Sequence, residues 1–200
     1  MELLIGAGSN HLKKVAPEGK PDWNKLVTLD INPDHKPDVL HDLTILPYPF
    51  PDNTFDEIHA YEVLEHTGQQ GDCKFFLDQF AEFWRILKPY GILAGTSPYR
   101  TSPWAWGDPG HTRIISEESL TFLSQLEYIN QVGVTTMSDY RWLYKADFNK
   151  LHSEVQNEET FVFVLQTIKP ARSKEDAAKK GFLKQDDQQQ YKGVPHRQNV

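Results

Sequence analysis

Two glycines, Gly6 and Gly8, and one carboxylate, Asp30, are the residues of this 200-residue chain whose types and spacing first suggest chemistry. The apolar run from Glu2 to Ile5 leads straight into Gly6-Ala7-Gly8-Ser9-Asn10, where missing side chains let a ligand approach the backbone N–H groups at a strand's carboxyl end. Asp30 ends the next apolar run, and an acidic residue there in a nucleotide-binding sheet accepts hydrogen bonds from ribose hydroxyls. Gly6, Gly8 and Asp30 together suggest an adenosine-containing cofactor. Each alone reads equally well as an ordinary turn residue.

These residues need a scaffold that brings strand ends to one edge. Strand-like runs occur at Glu2 to Ile5, Leu26 to Ile31, Asp38 to Leu40, Glu57 to Ala60 and Ile92 to Thr96, several continuously apolar, as strands covered on both faces are. Phe76, Phe80, Phe83, Trp84 and Leu87 recur at helical spacing between the fourth and fifth, with Asp72 placed as cap and Pro89 and Gly91 as the stop. Ser116, followed by Glu117 and Glu118, opens a second helix through Leu120, Leu123 and Leu126, and strand candidates follow at Tyr128 to Thr136 and Thr160 to Ile168. Strands alternating with helices predict an α/β fold with a mostly parallel sheet, and the last pair of strands predicts an antiparallel edge. Only about twenty residues, with Pro17, Gly19 and Pro21 among them, separate the first two strands, which leaves little room for a crossover helix.

Further motifs follow in order: His41-Asp42-Leu43, the run from Leu46 through Pro49-Phe50-Pro51-Asp52 to Phe55-Asp56, Tyr61-Glu62-Val63-Leu64-Glu65-His66, Arg85-Ile86-Leu87-Lys88-Pro89-Tyr90-Gly91, and Asp108-Pro109-Gly110-His111-Thr112-Arg113. With the glycine turn and Asp30, this series resembles the class I S-adenosylmethionine-dependent methyltransferases, in particular their small type-11-like group, over roughly Leu3 to Ser116. The resemblance implies a Rossmann-like seven-stranded sheet in a three-layer αβα sandwich. The chain starts at the first strand, so the helix that often precedes it in that family is expected to be missing. Residue by residue, it implies that Gly6, Ala7 and Gly8 flank the methionine part of S-adenosylmethionine, that Asp30 and Ile31 meet the ribose, and that Asp42 and Leu43 hold the adenine. Glu62 to His66 would border the sulfonium and the methyl acceptor. Leu4, Asn10 and Tyr90 depart from the family pattern, and a homodimer or a partner subunit is expected to supply the cover that the missing helix would give.

A sulfonium already carries its leaving group, so such a site has chiefly to align an acceptor and exclude water. For a hydroxyl or carboxylic acid acceptor the candidate bases are His66, Glu65 and His111, with Asp108 able to orient a histidine. His111 lies in a long aromatic and Pro-rich connection from Ser97 to Gly110 of the kind that forms lids, and Tyr99, Trp104 and Trp106 there either face the acceptor or pack. His59, Glu62 and His66 have no recognised metal-ligand spacing, and no metal site is expected.

Composition narrows the alternatives. The net charge of −7 becomes −10 over the first 169 residues, because residues 170–200 hold seven Lys/Arg against four Asp/Glu. An acidic body repels a polyanion, which disfavours nucleic acid and favours a small-molecule acceptor. His11 stands at the third-glycine position of a dinucleotide fingerprint, which argues against a nicotinamide dehydrogenase. Cys73, the only cysteine, excludes an intrachain disulfide and follows Asp72 rather than the proline that cytosine methylation uses; packing is its expected role. No apolar run or leader pattern marks a membrane or secreted protein, so a cytoplasmic location is expected. The expected organisation is one domain over residues 1–169 and a polar, disordered tail over 170–200 that buries little apolar area.

Overall fold

The computed structural model describes residues 1–175, apart from the side chain of Glu18; most of the expected tail, residues 176–200, lies outside the described residues. Seven strands form one sheet: β1 (Glu2–Ile5), β2 (Leu26–Asp30), β3 (Val39–Leu40), β4 (Phe55–Tyr61), β5 (Leu87–Pro98), β6 (Phe148–Gln156) and β7 (Thr160–Thr167), in the order β3-β2-β1-β4-β5-β7-β6. Strands β1 to β5 are parallel, and β7 runs antiparallel between β5 and β6. The expected α/β, mostly parallel, seven-stranded sheet is present, with its antiparallel strand one place in from the edge.

The sequence explains the two faces. Period-two alternation sends Leu3, Ile5, Ile58, Ala60 and Leu93 to one side, where they meet Leu77, Phe80, Phe83 and Ile86 of helix α1 (Cys73–Ile86). Asp72 caps α1 by accepting from the Phe75 N–H at 3.0 Å. Leu4, Tyr61, Ile92, Ala94, Val162 and Val164 point the other way. Among the described residues no α-helix covers that second face. It is closed by the β1–β2 connection, through Val15 and Trp23, so the three-layer sandwich has one helical layer and one of irregular chain. The proline- and glycine-containing connection is held by polar anchors instead of a helical stripe: the Val15 N–H donates to Tyr61 Oη at 3.1 Å, and Lys13 pairs with Glu2 at 3.0 Å and Glu57 at 2.8 Å.

Several boundaries differ from expectation. The run from Tyr128 to Thr136 is not a strand: α4 (Gln125–Gln131) takes its first part, and Tyr128 is fully buried in the helical layer. Ser124 caps α4 and breaks the expected single helix into α3 (Glu117–Thr121) and α4. A short helical turn, α2 (Trp104–Gly107), lies in the lid-like connection. Strand β6, at the sheet edge, escaped the sequence reading because its polar residues face solvent. Cys73 is exposed at the start of α1 rather than packed.

The chain also stays tied to the body beyond the expected boundary at residue 169. Asp147 is fully buried, and Arg172 meets it with Nε at 2.7 Å, Nη2 at 2.7 Å and its backbone N–H at 2.9 Å. Removing one partner of such a pair strands the other charge, a cost of about 3 kcal/mol or more. Arg172→Ala should therefore lower the denaturant midpoint clearly, whereas truncation after residue 175 should leave it nearly unchanged; equal stability of Arg172→Ala and the parent would contradict the pairing.

Candidate functional site

The carboxyl ends of β1, β2 and β4 release their chains at one edge of the sheet, and the strand order reverses between β1 and β4, where open α/β sheets carry their ligand crevice. Gly6 (φ +57°) and Gly8 (φ +56°) both take left-handed backbone. A Cβ on Gly6 would stand 2.3 Å from Val63 Cγ2, so this glycine lets the β1 exit lie against the β4 exit. A Cβ on Gly8 would meet nothing within 4 Å, so it faces the open crevice.

Asp30 braces this turn from β2. It is 6% exposed; its Oδ2 accepts from the Gly8 N–H and its Oδ1 from the Asn32 N–H, both at 2.8 Å, and His35 Nδ1 lies 3.3 Å away. Burial alone would raise this carboxyl, but the Asn32 and Gly8 N–H bonds and His35 outweigh it and hold it below the ordinary value. The Gly8 N–H is thus spent on Asp30 rather than offered outward, while a carboxylate retains lone pairs for further donors. Ala7 is buried in the second face and its N–H is bound to Leu29 O, so it shapes the turn from behind.

The neighbouring strand ends are apolar and open. Ile31 is 63% exposed, Leu40 59% and Ile45 58%, all at or just beyond the carboxyl ends of β2 and β3. Asp42 accepts from the Thr44 N–H and hydroxyl at 2.8 Å. Leu43 is buried among the core residues, so its side chain does not line the crevice.

On the other side, β4 ends at Glu62, an exposed residue forced to φ +51° while its N–H donates to Thr96 O. A helical turn over Leu64–His66 follows, and the segment 108–113 is stitched to it: the Thr112 N–H and hydroxyl both donate to Glu65 O, at 2.9 and 3.2 Å. This brings His111 to Glu65 and His66, from which it is far removed in the sequence. The two imidazoles meet edge to face with ring centres 4.5 Å apart. Glu65 is 2% exposed, and burial, reinforced by the negative charge of Glu62, pushes its carboxyl up to about 8 against the pull of Arg113.

Arg113 is the residue that the sequence reading passed over. It is 3% exposed, donates from Nε to Leu64 O at 2.8 Å and from Nη2 to Thr67 Oγ1 at 2.9 Å, and reaches Gln79 on α1. Burial lowers its guanidinium to about 10, so it stays cationic at neutral pH. Its place at the end of the Asp108–Arg113 motif was the available signal. His59, by contrast, has no part in the site: it is fully buried on the second face between Glu57 and Tyr61 Oη, at 2.8 and 2.7 Å, and burial keeps it neutral. Tyr99 is partly buried against the core, whereas Trp104 and Trp106 are 65% and 61% exposed and so remain open to a ligand. A separate pocket of about 210 Å³, lined by Phe76, Leu77, Arg113, Phe122 and Tyr140, contains none of Gly8, Asp30 or His66.

Residues 3–95 match the family described as a methyltransferase domain. A sterol 24-C-methyltransferase of Pneumocystis carinii is 26% identical over 106 residues, 53% of this chain, and the match spans a quarter of that relative's length. Among solved structures, a SAM-dependent methyltransferase from Archaeoglobus fulgidus aligns over 82% of this chain and 85% of its own, with 17% identity and a TM-score of 0.51. A chain from the complex between the Haloferax volcanii Trm112 methyltransferase activator and a methyltransferase aligns over 84% of this chain and 82% of its own, with 13% identity and the same TM-score. The family match agrees with the resemblance read from the motifs, and the solved structures show the same fold.

The two glycines give a paired test. Gly6→Ala should destabilise the fold, since left-handed backbone costs about 1–2 kcal/mol for an L residue and the Val63 clash adds to it. Gly8→Ala should cost only the former yet impair ligand binding in the crevice. Thermal melts with cofactor titration separate the two; equal stability of both variants would contradict the assigned contact.

The depressed Asp30 carboxyl adds a pH test. Its stabilisation is complete above the ordinary value of 3.8 and is lost as pH falls through the lower folded value. Parent stability should fall more steeply below that pH than the stability of Asp30→Asn, as denaturant titrations at several pH values would show.

Proposed function

Taking the methyltransferase-domain match over residues 3–95 as the premise, we propose that this chain binds S-adenosylmethionine in the Gly6–Asp30 crevice and transfers its methyl group to a small-molecule acceptor beside Glu65, His66 and His111. The single observation that carries the reading is the convergence, on one sheet edge, of the glycine turn, the braced Asp30 and the exit of β4.

In this reading the methionine part lies along Gly6 to Gly8 and the ribose hydroxyls donate to the free lone pairs of Asp30. Ile31 and Leu40 offer the adenine an apolar surface and Asp42 an acceptor, while Leu43 supports the loop from the core. Glu62 borders the methionine end. His66, exposed at the mouth, takes the acceptor proton, with His111 and Glu65 behind it. Trp104 and Trp106 close over the acceptor and exclude water.

The acidic body and the relative named for a sterol acceptor support a small molecule over a nucleic acid. No helix among the described residues is long and apolar enough to cross a membrane, and we place the protein in the cytoplasm on its sequence character. The exposure of Ile31, Leu40 and Ile45 near that edge supports a second copy or a partner subunit there. The Haloferax relative was solved in complex with an activator.

Calorimetric titration tests the cofactor step. S-adenosylmethionine and S-adenosylhomocysteine should bind saturably, NAD should not, and Asp30→Ala should weaken binding by about tenfold or more, the worth of a hydrogen bond to a charged group. Absence of binding by both sulfur compounds would overturn the assignment. With an acceptor found by screening small molecules, His66→Ala should lower turnover by about a hundredfold while leaving cofactor affinity unchanged; loss of cofactor binding instead would remove His66 from the acceptor side.

A further inference from the structure

Two clusters of histidine and carboxylate side chains occur among the described residues, and they differ in one respect. In the first, Glu2, Glu57 and His59, a cation is built in: Lys13 Nζ lies 3.0 Å from Glu2 and 2.8 Å from Glu57. In the second, Glu65, His66 and His111 bring one donor atom each to within 4.8 Å of the others. There neither oxygen of Glu65 receives a hydrogen bond from a described residue, although the side chain is 2% exposed. Nδ1 of His111 is likewise buried without a partner. Arg113, the neighbouring cation, directs its bonds to Leu64 O, Thr67 and Gln79.

A buried carboxyl group without hydrogen-bond partners leaves both of its oxygens unsatisfied. The surrounding structure nevertheless holds the group firmly, since Thr112 and Arg113 bind the Glu65 carbonyl and Gly110 has no side chain where a Cβ would stand 2.9 Å from His66 Nδ1. A fixed backbone carrying two imidazoles and an unpartnered carboxyl group is how metal ligands are presented. We infer that Glu65, His66 and His111 form a binding site for a divalent transition-metal ion of the zinc, cobalt or manganese type.

Two nitrogens and one carboxylate oxygen suit zinc and cobalt better than calcium or magnesium, and the carboxylate also suits manganese. Metal–ligand distances of about 2 Å require the donor atoms to draw together from their present spacing, which rotation of the exposed His66 ring and the Glu65 carboxylate supplies. Three protein donors leave coordination positions open, so the ion would also bind an oxygen of the methyl acceptor and, with His66 engaged as a ligand, would take over from His66 the activation of that oxygen. That consequence rests on the methyltransferase reading; metal binding itself does not.

The test uses untagged full-length protein, stripped with a chelator and dialysed separately against Zn²⁺, Co²⁺ and Mn²⁺ without S-adenosylmethionine. Bound metal is measured by mass spectrometry and, for Co²⁺, by visible absorption. About one equivalent of at least one ion should be retained, with Glu65→Gln and His111→Ala each weakening binding by at least about tenfold. His152→Ala, on β6 outside the cluster, should bind as the parent does. Glu65→Gln keeps the side chain's shape but cannot ionise to bind a cation, so its melting temperature should not fall, and lost binding then reports a lost ligand. No stoichiometric binding of any of the three ions, or undiminished binding by both variants, would overturn the site. A parallel cofactor titration in chelator separates the two readings: metal retained without cofactor binding contradicts only the methyltransferase assignment, and cofactor binding without metal contradicts only the metal site.

Discussion

Gly6 can carry no side chain, because Val63 occupies the volume that a Cβ would need. That one approach couples the exit of β1 to the exit of β4 and so sets the glycine turn beside Glu62, Glu65 and His66. The other arrangements at this edge follow from it. The turn must reverse through two left-handed residues, its second glycine then reaches Asp30, and Asp30 fixes the β2 end at which Ile31 and Leu40 stand open. A parallel sheet with its order reversal between β1 and β4 provides the crevice, and this contact gives the crevice its two walls.

The sheet's two faces solve burial differently. One is closed by phenylalanines of α1 and by α3 and α4 in the ordinary way. The other has no helix over it among the described residues, and a connection with little apolar sequence is pinned by Lys13, Tyr61 and Trp23 around His59. Lys13 lies between the carboxylates of Glu2 and Glu57, and His59 bonds to Glu57 and Tyr61, so the polar groups there have partners. At the acceptor side the Glu65 carboxyl has no hydrogen-bond partner among the described residues, and Arg113 serves as a pillar for Leu64 and Thr67 rather than as its partner. Structural polar networks are satisfied internally, whereas unsatisfied buried groups mark places where a ligand is expected to complete the set.

Much of this was legible in the residues. The first four strands, the capped helix after Asp72 and the glycine turn follow from apolar runs and turn chemistry, which act locally. The failures share a cause in tertiary context. Tyr128 to Thr136 is rich in strand-forming residues, yet burial of Tyr128 in the helical layer and the Ser124 cap make its first part a helix. β6 is too polar to read as a strand because it is an edge. Arg172 looked like tail because nothing in the sequence shows that Asp147 is buried and needs a cation. Glu65, His66 and His111 could be named singly as candidates, but only the bonds from Thr112 to the Glu65 carbonyl reveal that they meet.

The most direct measurement of the central claim is a crystal structure of the protein with S-adenosylhomocysteine. The account predicts the ribose hydroxyls on Asp30, the homocysteine part along Gly6 to Gly8, and the sulfur facing Glu65 and His66. Ligand density elsewhere, for instance in the pocket beside Phe122 and Tyr140, or none at saturating concentration, would contradict it.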